Sequence, residues 1–187
     1  MLWRRRRWTI NVVKILVTAA SRHGATQQIA DTIAATLRRH GLEVDVIDPA
    51  RVVSVEEYDA VVIGSAVYLG RWLKQATDVV NRFPAPLAER PVWLFSSGPV
   101  GDPSRGLVQK MNADPAQLPA LRAITGAEEH RIFAGKLDKQ NLSRPQRAAL
   151  ALVRGLDGDF RDWDEIEKWA SSIADRLRTR RGAETVA

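Results

Sequence analysis

Cysteine is absent from the 187 residues of this chain, and only three histidines are present. Without cysteine the chain cannot form a disulfide framework, a thiolate nucleophile, an iron–sulfur cluster or a cysteine-ligated zinc site. With so few histidines to replace thiolates as ligands, we expect no metal site. Redox chemistry in this chain would therefore depend on a bound organic cofactor.

Long hydrophobic runs are also missing. The apolar stretch at residues 12–17 is interrupted by Lys14 and falls short of the about 18 apolar residues that cross a membrane. The basic beginning of the chain is not followed by the apolar segment and cleavage site of a signal peptide. We therefore expect a cytoplasmic protein in which residues 1–12 form a basic N-terminal extension.

Positive charge is concentrated at the two ends of the chain. Residues 4–7 are all arginine, and four more arginines lie within residues 176–181, whereas the net charge of the whole chain is +6. The region between is thus close to neutral. No motif for RNA or DNA recognition accompanies the basic ends, so we expect no nucleic-acid partner. These arginines either form solvated tails or attach the protein electrostatically to the anionic inner face of a membrane.

Strand and helix patterns alternate along the chain, which indicates one α/β domain with a doubly wound, mostly parallel sheet. We place this domain at residues 13–178 and a basic tail at residues 179–187. The predicted strands cover residues 13–18, 43–48, 60–64, 91–96 and 131–135. The predicted helices cover residues 25–40, 72–82, 107–112 and 163–178. A further segment, residues 143–154, has a basic amphipathic composition that fits either packing on the domain or contact with a membrane or partner.

The turn after the first predicted strand is typical of a phosphate site. It lacks both the G-x-G-x-x-G pattern of dinucleotide sites and the G-x-x-x-x-G-K-[ST] pattern of nucleotide triphosphatases. It retains Ser21, Gly24 and Thr26 before a helix, where free N–H groups and the helix dipole favour one terminal phosphate. The alternative is ordinary capping of the helix by serine or threonine.

Two further loops would lie beside this turn. Residues 64–72 follow the third strand with small residues around two aromatics, and residues 95–103 form a glycine- and proline-rich loop after the fourth strand. In a five-stranded sheet of order 2-1-3-4-5, the three loops converge at the point where the strand order reverses, which is also where flavodoxin binds FMN. The sequence therefore predicts a ligand site built from these loops.

The residues of these loops resemble a known family. Residues 20–26 and 62–70 are similar to the phosphate loop and the second flavin loop of flavodoxin-like proteins, particularly the menaquinone-dependent protoporphyrinogen oxidases. Residues 133–137, a basic insertion and then Asp162-Trp163 follow in the order of that family, so the resemblance covers about residues 14–178. His23 departs from the pattern, since the family commonly has an acidic residue there.

The resemblance implies an FMN site made of three groups of residues. The FMN phosphate would be held by Ser21, Arg22, His23, Gly24, Ala25 and Thr26. Backbone contacts to the ring edge would come from Ser65, Ala66, Val67, Tyr68, Leu69 and Gly70 and from Ser96, Ser97, Gly98, Pro99, Val100, Gly101 and Asp102. Tyr68 and Trp72 would flank the flavin ring, or else pack at the start of a helix. No acid–base residue is identified as catalytic, and His130 is expected to be an ordinary surface residue.

Three functions remain open at this point. The resemblance implies an FMN-dependent oxidoreductase that oxidises a small molecule such as a porphyrinogen with a quinone as acceptor, working in the cytoplasm or peripherally at the inner face of a membrane. A flavodoxin-type electron carrier is the second candidate, although such carriers are generally strongly acidic and this chain is not. A flavin-free binding module on the same fold is the third.

Overall fold

The computed structural model describes residues 12–98, 114–137 and 158–186. The strands are β1 (Lys14–Ala20), β2 (Glu43–Val46), β3 (Ala60–Tyr68), β4 (Arg71–Trp72), β5 (Val92–Ser97), β6 (Glu129–Phe133), β7 (Lys136–Leu137) and β8 (Gly158–Asp159). The helices are α1 (Ala25–Arg39), α2 (Lys74–Arg82), α3 (Pro84–Ala88), α4 (Leu118–Thr125) and α5 (Trp163–Val186), with a short 3₁₀ turn at Pro49–Arg51. The helix predicted at residues 107–112 and the basic segment at residues 143–154 lie outside the described residues.

Five parallel strands form the central sheet in the order β2-β1-β3-β5-β6, which confirms the predicted order of the five main strands. In this register Val17 lies opposite Val62, and Val62 lies opposite Trp93. Two pairings were not predicted. Strand β4 runs antiparallel to the end of β3, and β7 and β8 form a separate antiparallel pair. Because β1, β3 and β5 are parallel, their carboxyl ends meet at one edge of the sheet.

Helices cover both faces of the sheet, as the apolar character of its central strands requires. On one face, Ile33 of α1 and Ile173 of α5 are fully buried in the same cluster as Val17 of β1. On the other face, Val79 of α2 joins a second buried cluster that contains Leu94 of β5. This doubly wound arrangement confirms the expected fold class, and it fixes the strands from which the three loops emerge.

Helix α5 runs past residue 178, where the sequence pattern predicts its end, and continues to Val186. The arginines near the end of the chain therefore belong to a helix. Arg176 pairs with Glu129 at 3.2 Å, and Arg180 pairs with Glu128 at 2.6 Å. These ion pairs join α5 to the beginning of β6. Among the described residues, no helix combines the length and apolar character that crossing a bilayer requires.

Candidate functional site

The carboxyl ends of β1, β3 and β5 lead into three loops at one edge of the sheet. We call residues 21–24 loop one, residues 65–73 loop two and residues 97–113 loop three. Within loop three the structure describes Ser97 and Gly98. Pro99, Val100, Gly101 and Asp102, which the sequence analysis assigns to the site, lie outside the described residues. The geometry of the site therefore rests on loops one and two and on the first residues of loop three.

Loop one ends at Gly24, the residue that precedes helix α1. Gly24 has a φ of +81°, a left-handed conformation that glycine adopts without steric cost. Among the described residues no side chain caps the helix at this end, and no acidic residue stands in its first turn. Capping by Ser21 or Thr26, the alternative role for these residues, is therefore not observed. The first-turn N–H groups and the positive end of the helix dipole together favour an anion.

The residues of loop one and the first turn of α1 differ in exposure. Arg22 and His23 are exposed, Ser21 and Ala25 are half-buried, and Thr26 is 1% exposed. The two basic side chains can therefore reach a ligand in solvent, whereas Thr26 packs beneath the turn.

Loop two is a tight β-hairpin. Val67 pairs with Trp72, and Tyr68 pairs with Arg71, which leaves a two-residue turn that begins at Leu69. Leu69 has a φ of +50°, and its side chain is fully exposed. A leucine at positive φ is strained, and an exposed one gains no packing energy in return. Strain of this kind is concentrated at functional sites, which supports a role for the hairpin in binding.

Arg22 and Tyr68 connect loop one to loop two. The Arg22 guanidinium lies 4.6 Å from the centroid of the Tyr68 ring, within the range of a cation–π contact. Tyr68 is half-buried, and burial raises the pKa of its hydroxyl, while the charge of Arg22 acts in the opposite direction. The phenol is therefore neutral at neutral pH, and its ring offers an apolar surface between the two loops.

Trp72 lies in the core rather than at the rim of the loops. It is 4% exposed, and its indole N–H donates to Ser96 Oγ at 2.8 Å. Its backbone N–H donates to Gln117 Oε1 at 3.2 Å. These contacts favour the packing role that the sequence analysis left open beside stacking on a flavin.

Serine side chains at the ends of β3 and β5 bind within the protein. Ser65 Oγ accepts the Leu73 N–H at 2.9 Å and donates to the Ala66 carbonyl at 2.8 Å. Ser96 Oγ accepts the indole N–H described above, and both serines are fully buried. At these two positions a ligand would therefore meet backbone groups and not hydroxyls.

His130 is buried, so the expectation of an ordinary surface residue is wrong. Its side chain is 2% exposed, with Nε2 2.8 Å from Ser96 Oγ and Nδ1 3.3 Å from Asp114 Oδ1. Burial lowers the pKa of His130. The Asp114 carboxylate raises this pKa, whereas the positive charge of Arg122 lowers it further. The sequence pattern placed the strand at residue 131, whereas β6 begins at Glu129. His130 therefore belongs to the sheet and not to the loop before it.

The sequence was compared with known protein families, and the match assigns the chain to one of them. Residues 16–164 match the profile of the flavodoxin domain. The chain belongs to the flavodoxin domain family.

Relatives and solved structures agree with this affiliation. Protoporphyrinogen IX dehydrogenase [quinone] of Escherichia coli (strain K12) is 22% identical over 173 residues, which are 87% of this chain and 95% of that protein. A flavodoxin from the domain Archaea superposes with a TM-score of 0.58 at 16% identity, covering 89% of this chain and 99% of the other. A flavodoxin of Streptococcus pneumoniae TIGR4 superposes with a TM-score of 0.54 at 19% identity, covering 88% and 99%. The structural likenesses establish the fold, and the family supports a general redox role as an oxidoreductase or electron carrier.

Proposed function

We propose that this flavodoxin-domain protein binds FMN at the three loops and acts as an FMN-dependent oxidoreductase. The observation that carries the proposal is the start of α1, where Gly24 is left-handed, no acidic residue stands in the first turn, and no side chain of the described part of the chain caps the helix. This turn suits one phosphate monoester. The sequence has no second nucleotide motif for an adenylate half, so FMN fits the chain better than FAD.

The residues present fit the parts of FMN in distinct ways. The phosphate would be held by the backbone N–H groups of residues 24–26, by the hydroxyl of Ser21 and by the exposed side chains of Arg22 and His23. Tyr68 would contact the flavin ring, because its neutral ring lies beside loop one at 4.6 Å from the Arg22 guanidinium. Trp72 would support the ring-binding loop from beneath, since it is buried.

Contact with the flavin requires a rearrangement at loop one. The Arg22 guanidinium covers one face of the Tyr68 ring, and a flavin stacked on that face would take its place. The guanidinium would then be free to move toward the phosphate, where its charge is favourable. Arg22 would thus exchange a cation–π contact for a charge-assisted hydrogen bond.

The substrate we propose is a porphyrinogen, and the electron acceptor is a quinone. Bound FMN supplies the capacity to accept a pair of electrons from the porphyrinogen and pass them to the quinone, which leaves as the quinol with the released protons. Likeness to the dehydrogenase of Escherichia coli over nearly its full length supports this assignment. The chain's own contribution is to bind and orient the flavin, and we assign no acid–base residue to the reaction.

A titration with three flavins tests the cofactor assignment. Purified protein should bind FMN more tightly than riboflavin, which lacks the phosphate, and more tightly than FAD. Tyr68→Ala should weaken FMN binding several-fold, since stacking contributes about 0.5 to 1.5 kcal/mol beyond area burial. Tyr58→Phe is the matched control, because Tyr58 hydrogen-bonds Asp45 at 3.0 Å on another part of the fold. Equal affinity for FMN and riboflavin would contradict the phosphate site.

An anaerobic assay with a porphyrinogen and a menaquinone analogue tests the reaction. Turnover with both substrates supports the oxidoreductase. Flavin that is reduced by another donor, with no porphyrinogen turnover, would leave an electron carrier as the function instead. Protein that binds no flavin would leave only a binding module on the same fold.

Attachment to an anionic membrane surface is the last part of the proposal. It rests on the arginines at residues 4–7 and on the basic segment at residues 143–154, both outside the described residues, because Arg176 and Arg180 are already paired with glutamates. Co-sedimentation with anionic vesicles should decrease at high salt, since screening shortens electrostatic attraction to about 8 Å at physiological ionic strength. Absence of binding to anionic vesicles at low salt would contradict the attachment.

A further inference from the structure

Arg161 lies directly behind the phosphate-binding turn, although it is far from that turn in sequence. It stands between β8 and α5, and its side chain is only 3% exposed. Its Nη1 donates to the Ala25 carbonyl at 3.3 Å and to Gln28 Oε1 at 2.7 Å. Both acceptors belong to the first turn of α1. A buried guanidinium therefore contacts the turn from the side of the last helix.

The charge of Arg161 is balanced in place. Its Nε donates to Asp159 Oδ1 at 2.7 Å and its Nη2 to Asp159 Oδ2, which makes a two-point ion pair. The guanidinium also lies 4.4 Å from the centroid of the Trp163 ring. A cation near the beginning of a helix is opposed by the helix dipole, and the Asp159 carboxylate offsets this. Arg161 is thus held in one orientation and is not a free counter-charge for a phosphate.

The contact with Ala25 bears on the proposed phosphate donors. The Ala25 carbonyl and the Thr26 N–H belong to the same planar peptide group and point in opposite directions. A hydrogen bond to the carbonyl therefore fixes the direction of that N–H, and it polarises the group so that the N–H becomes a better donor. Thr26 is one of the residues assigned to the FMN phosphate.

Arg161 also links the turn to the small antiparallel pair. Asp159 of β8 pairs with Lys136 of β7, and the Phe160 N–H donates to the Gly135 carbonyl at 3.2 Å. Strand β7 follows β6 closely in the chain. Leu137 of β7 lies opposite Gly158 of β8. Arg161 therefore contacts both the β7–β8 pair, through Asp159, and the phosphate turn, through Ala25.

We propose that Arg161 is a positioning residue that aims the Thr26 N–H at the FMN phosphate and couples the β7–β8 pair to FMN binding. The proposal rests on the function proposed above. Because coupling between two sites is reciprocal, phosphate binding stabilises the β7–β8 pair to the same degree that the pair stabilises the phosphate site. Riboflavin, which has no phosphate, does not engage this coupling.

The test compares FMN and riboflavin in matched variants. Arg161→Ala should raise the Kd of FMN about tenfold, equivalent to about 1.4 kcal/mol, because the Thr26 N–H is no longer held toward the phosphate, and it should leave the Kd of riboflavin unchanged. Arg131→Ala is the control, since Arg131 forms an exposed ion pair with Glu165 at 3.4 Å and has no contact with α1 among the described residues. Gln28→Ala removes the side-chain acceptor on α1 and leaves the Ala25 carbonyl and the Arg161–Asp159 pair in place. Gln28→Ala should weaken the binding of FMN, but not of riboflavin, by less than tenfold. This variant keeps the proposal testable if Arg161→Ala fails to fold.

Hydrogen exchange supplies a readout that does not depend on activity. FMN should slow exchange of backbone amides at residues 158–163 in the wild type and in Arg131→Ala, but not in Arg161→Ala. Equal losses for FMN and riboflavin, or unchanged FMN affinity in folded Arg161→Ala and in Gln28→Ala, would overturn the proposal. Wild-type protein that binds no FMN would instead refute the proposed function, and the coupling with it.

Discussion

Replacement of Gly24 by alanine tests the backbone conformation of the phosphate turn without disturbing the packing around it. A Cβ at Gly24 would have no heavy atom of the described residues within 4 Å, so the substitution creates no clash with them. The obstacle that remains is the φ of +81°. Holding an L-residue in the left-handed region costs about 1 to 2 kcal/mol. We therefore expect Gly24→Ala to lower the free energy of unfolding by about this amount.

Gly41 provides a matched control at the opposite end of the same helix. It has a φ of +79°, and a Cβ there would also have no neighbour within 4 Å. Gly41→Ala should therefore cost the same free energy of unfolding as Gly24→Ala. In a protein of this size, 1 kcal/mol corresponds to about 2 to 4 °C in Tm, so the two variants should melt at nearly the same reduced temperature.

Only Gly24→Ala should affect the ligand. If the turn relaxes toward negative φ, the N–H groups of Ala25 and Thr26 rotate away from the phosphate position. FMN affinity should then fall at least tenfold, equivalent to about 1.4 kcal/mol, while Gly41→Ala binds FMN like the wild type. Isothermal titration calorimetry with FMN and thermal melting measure the two effects separately. A smaller loss of Tm in Gly24→Ala than in Gly41→Ala shows that the turn has relaxed, and wild-type FMN affinity in such a relaxed variant would refute the assignment of the phosphate turn.

Three further changes test other parts of the structure. Gly64→Ala should destabilise the fold by about 1 to 3 kcal/mol, because a Cβ at Gly64 would lie 2.1 Å from Phe95 Cζ, and chemical denaturation at neutral pH would show this. Leu69→Asn should raise the free energy of unfolding by up to about 1 kcal/mol, since asparagine tolerates the φ of +50° and the exposed leucine loses no packing; a lower free energy of unfolding would contradict the strain. Since the pKa of His130 is lowered by burial, its contribution to stability should be complete above the unfolded-state pKa of about 6.5 and decrease as pH falls through the folded-state value. Urea denaturation at several pH values should show this dependence in the wild type and less of it in His130→Gln.

The sheet could be predicted because its strands carry a local signal. Residues 13–18, 60–64 and 91–96 are apolar runs, and strands buried on both faces require this pattern. Strand β3 nevertheless extends to Tyr68, well past the apolar run. Its last residues are stabilised by the hairpin partner β4, which spans only two residues. A pairing so short leaves no periodicity in the sequence.

The candidate site was predictable only where one continuous segment forms it. Loop one is a single turn, so the pattern of Ser21, Gly24 and Thr26 indicates its chemistry without tertiary information. The burial of His130 depends on Ser96, which lies 34 positions away in the chain. The contact of Arg161 with Ala25 spans 136 positions. Both pairs are too far apart in the sequence for a local pattern to predict their contacts.

A chain of hydrogen bonds joins Trp72 of loop two to Asp114, which precedes helix α4. An indole N–H can only donate, so Ser96 Oγ accepts from Trp72 at 2.8 Å. The Ser96 hydroxyl is then free to donate to Nε2 of His130, which requires the neutral ring with its proton on Nδ1, facing the Asp114 carboxylate at 3.3 Å. We assign this tautomer from the network. The chain therefore links Asp114, before helix α4, to the tryptophan beneath the hairpin. Protonation of His130 would turn Nε2 into a donor, so Ser96 Oγ could no longer donate to it, and the effect would reach the contacts of both Trp72 and Asp114.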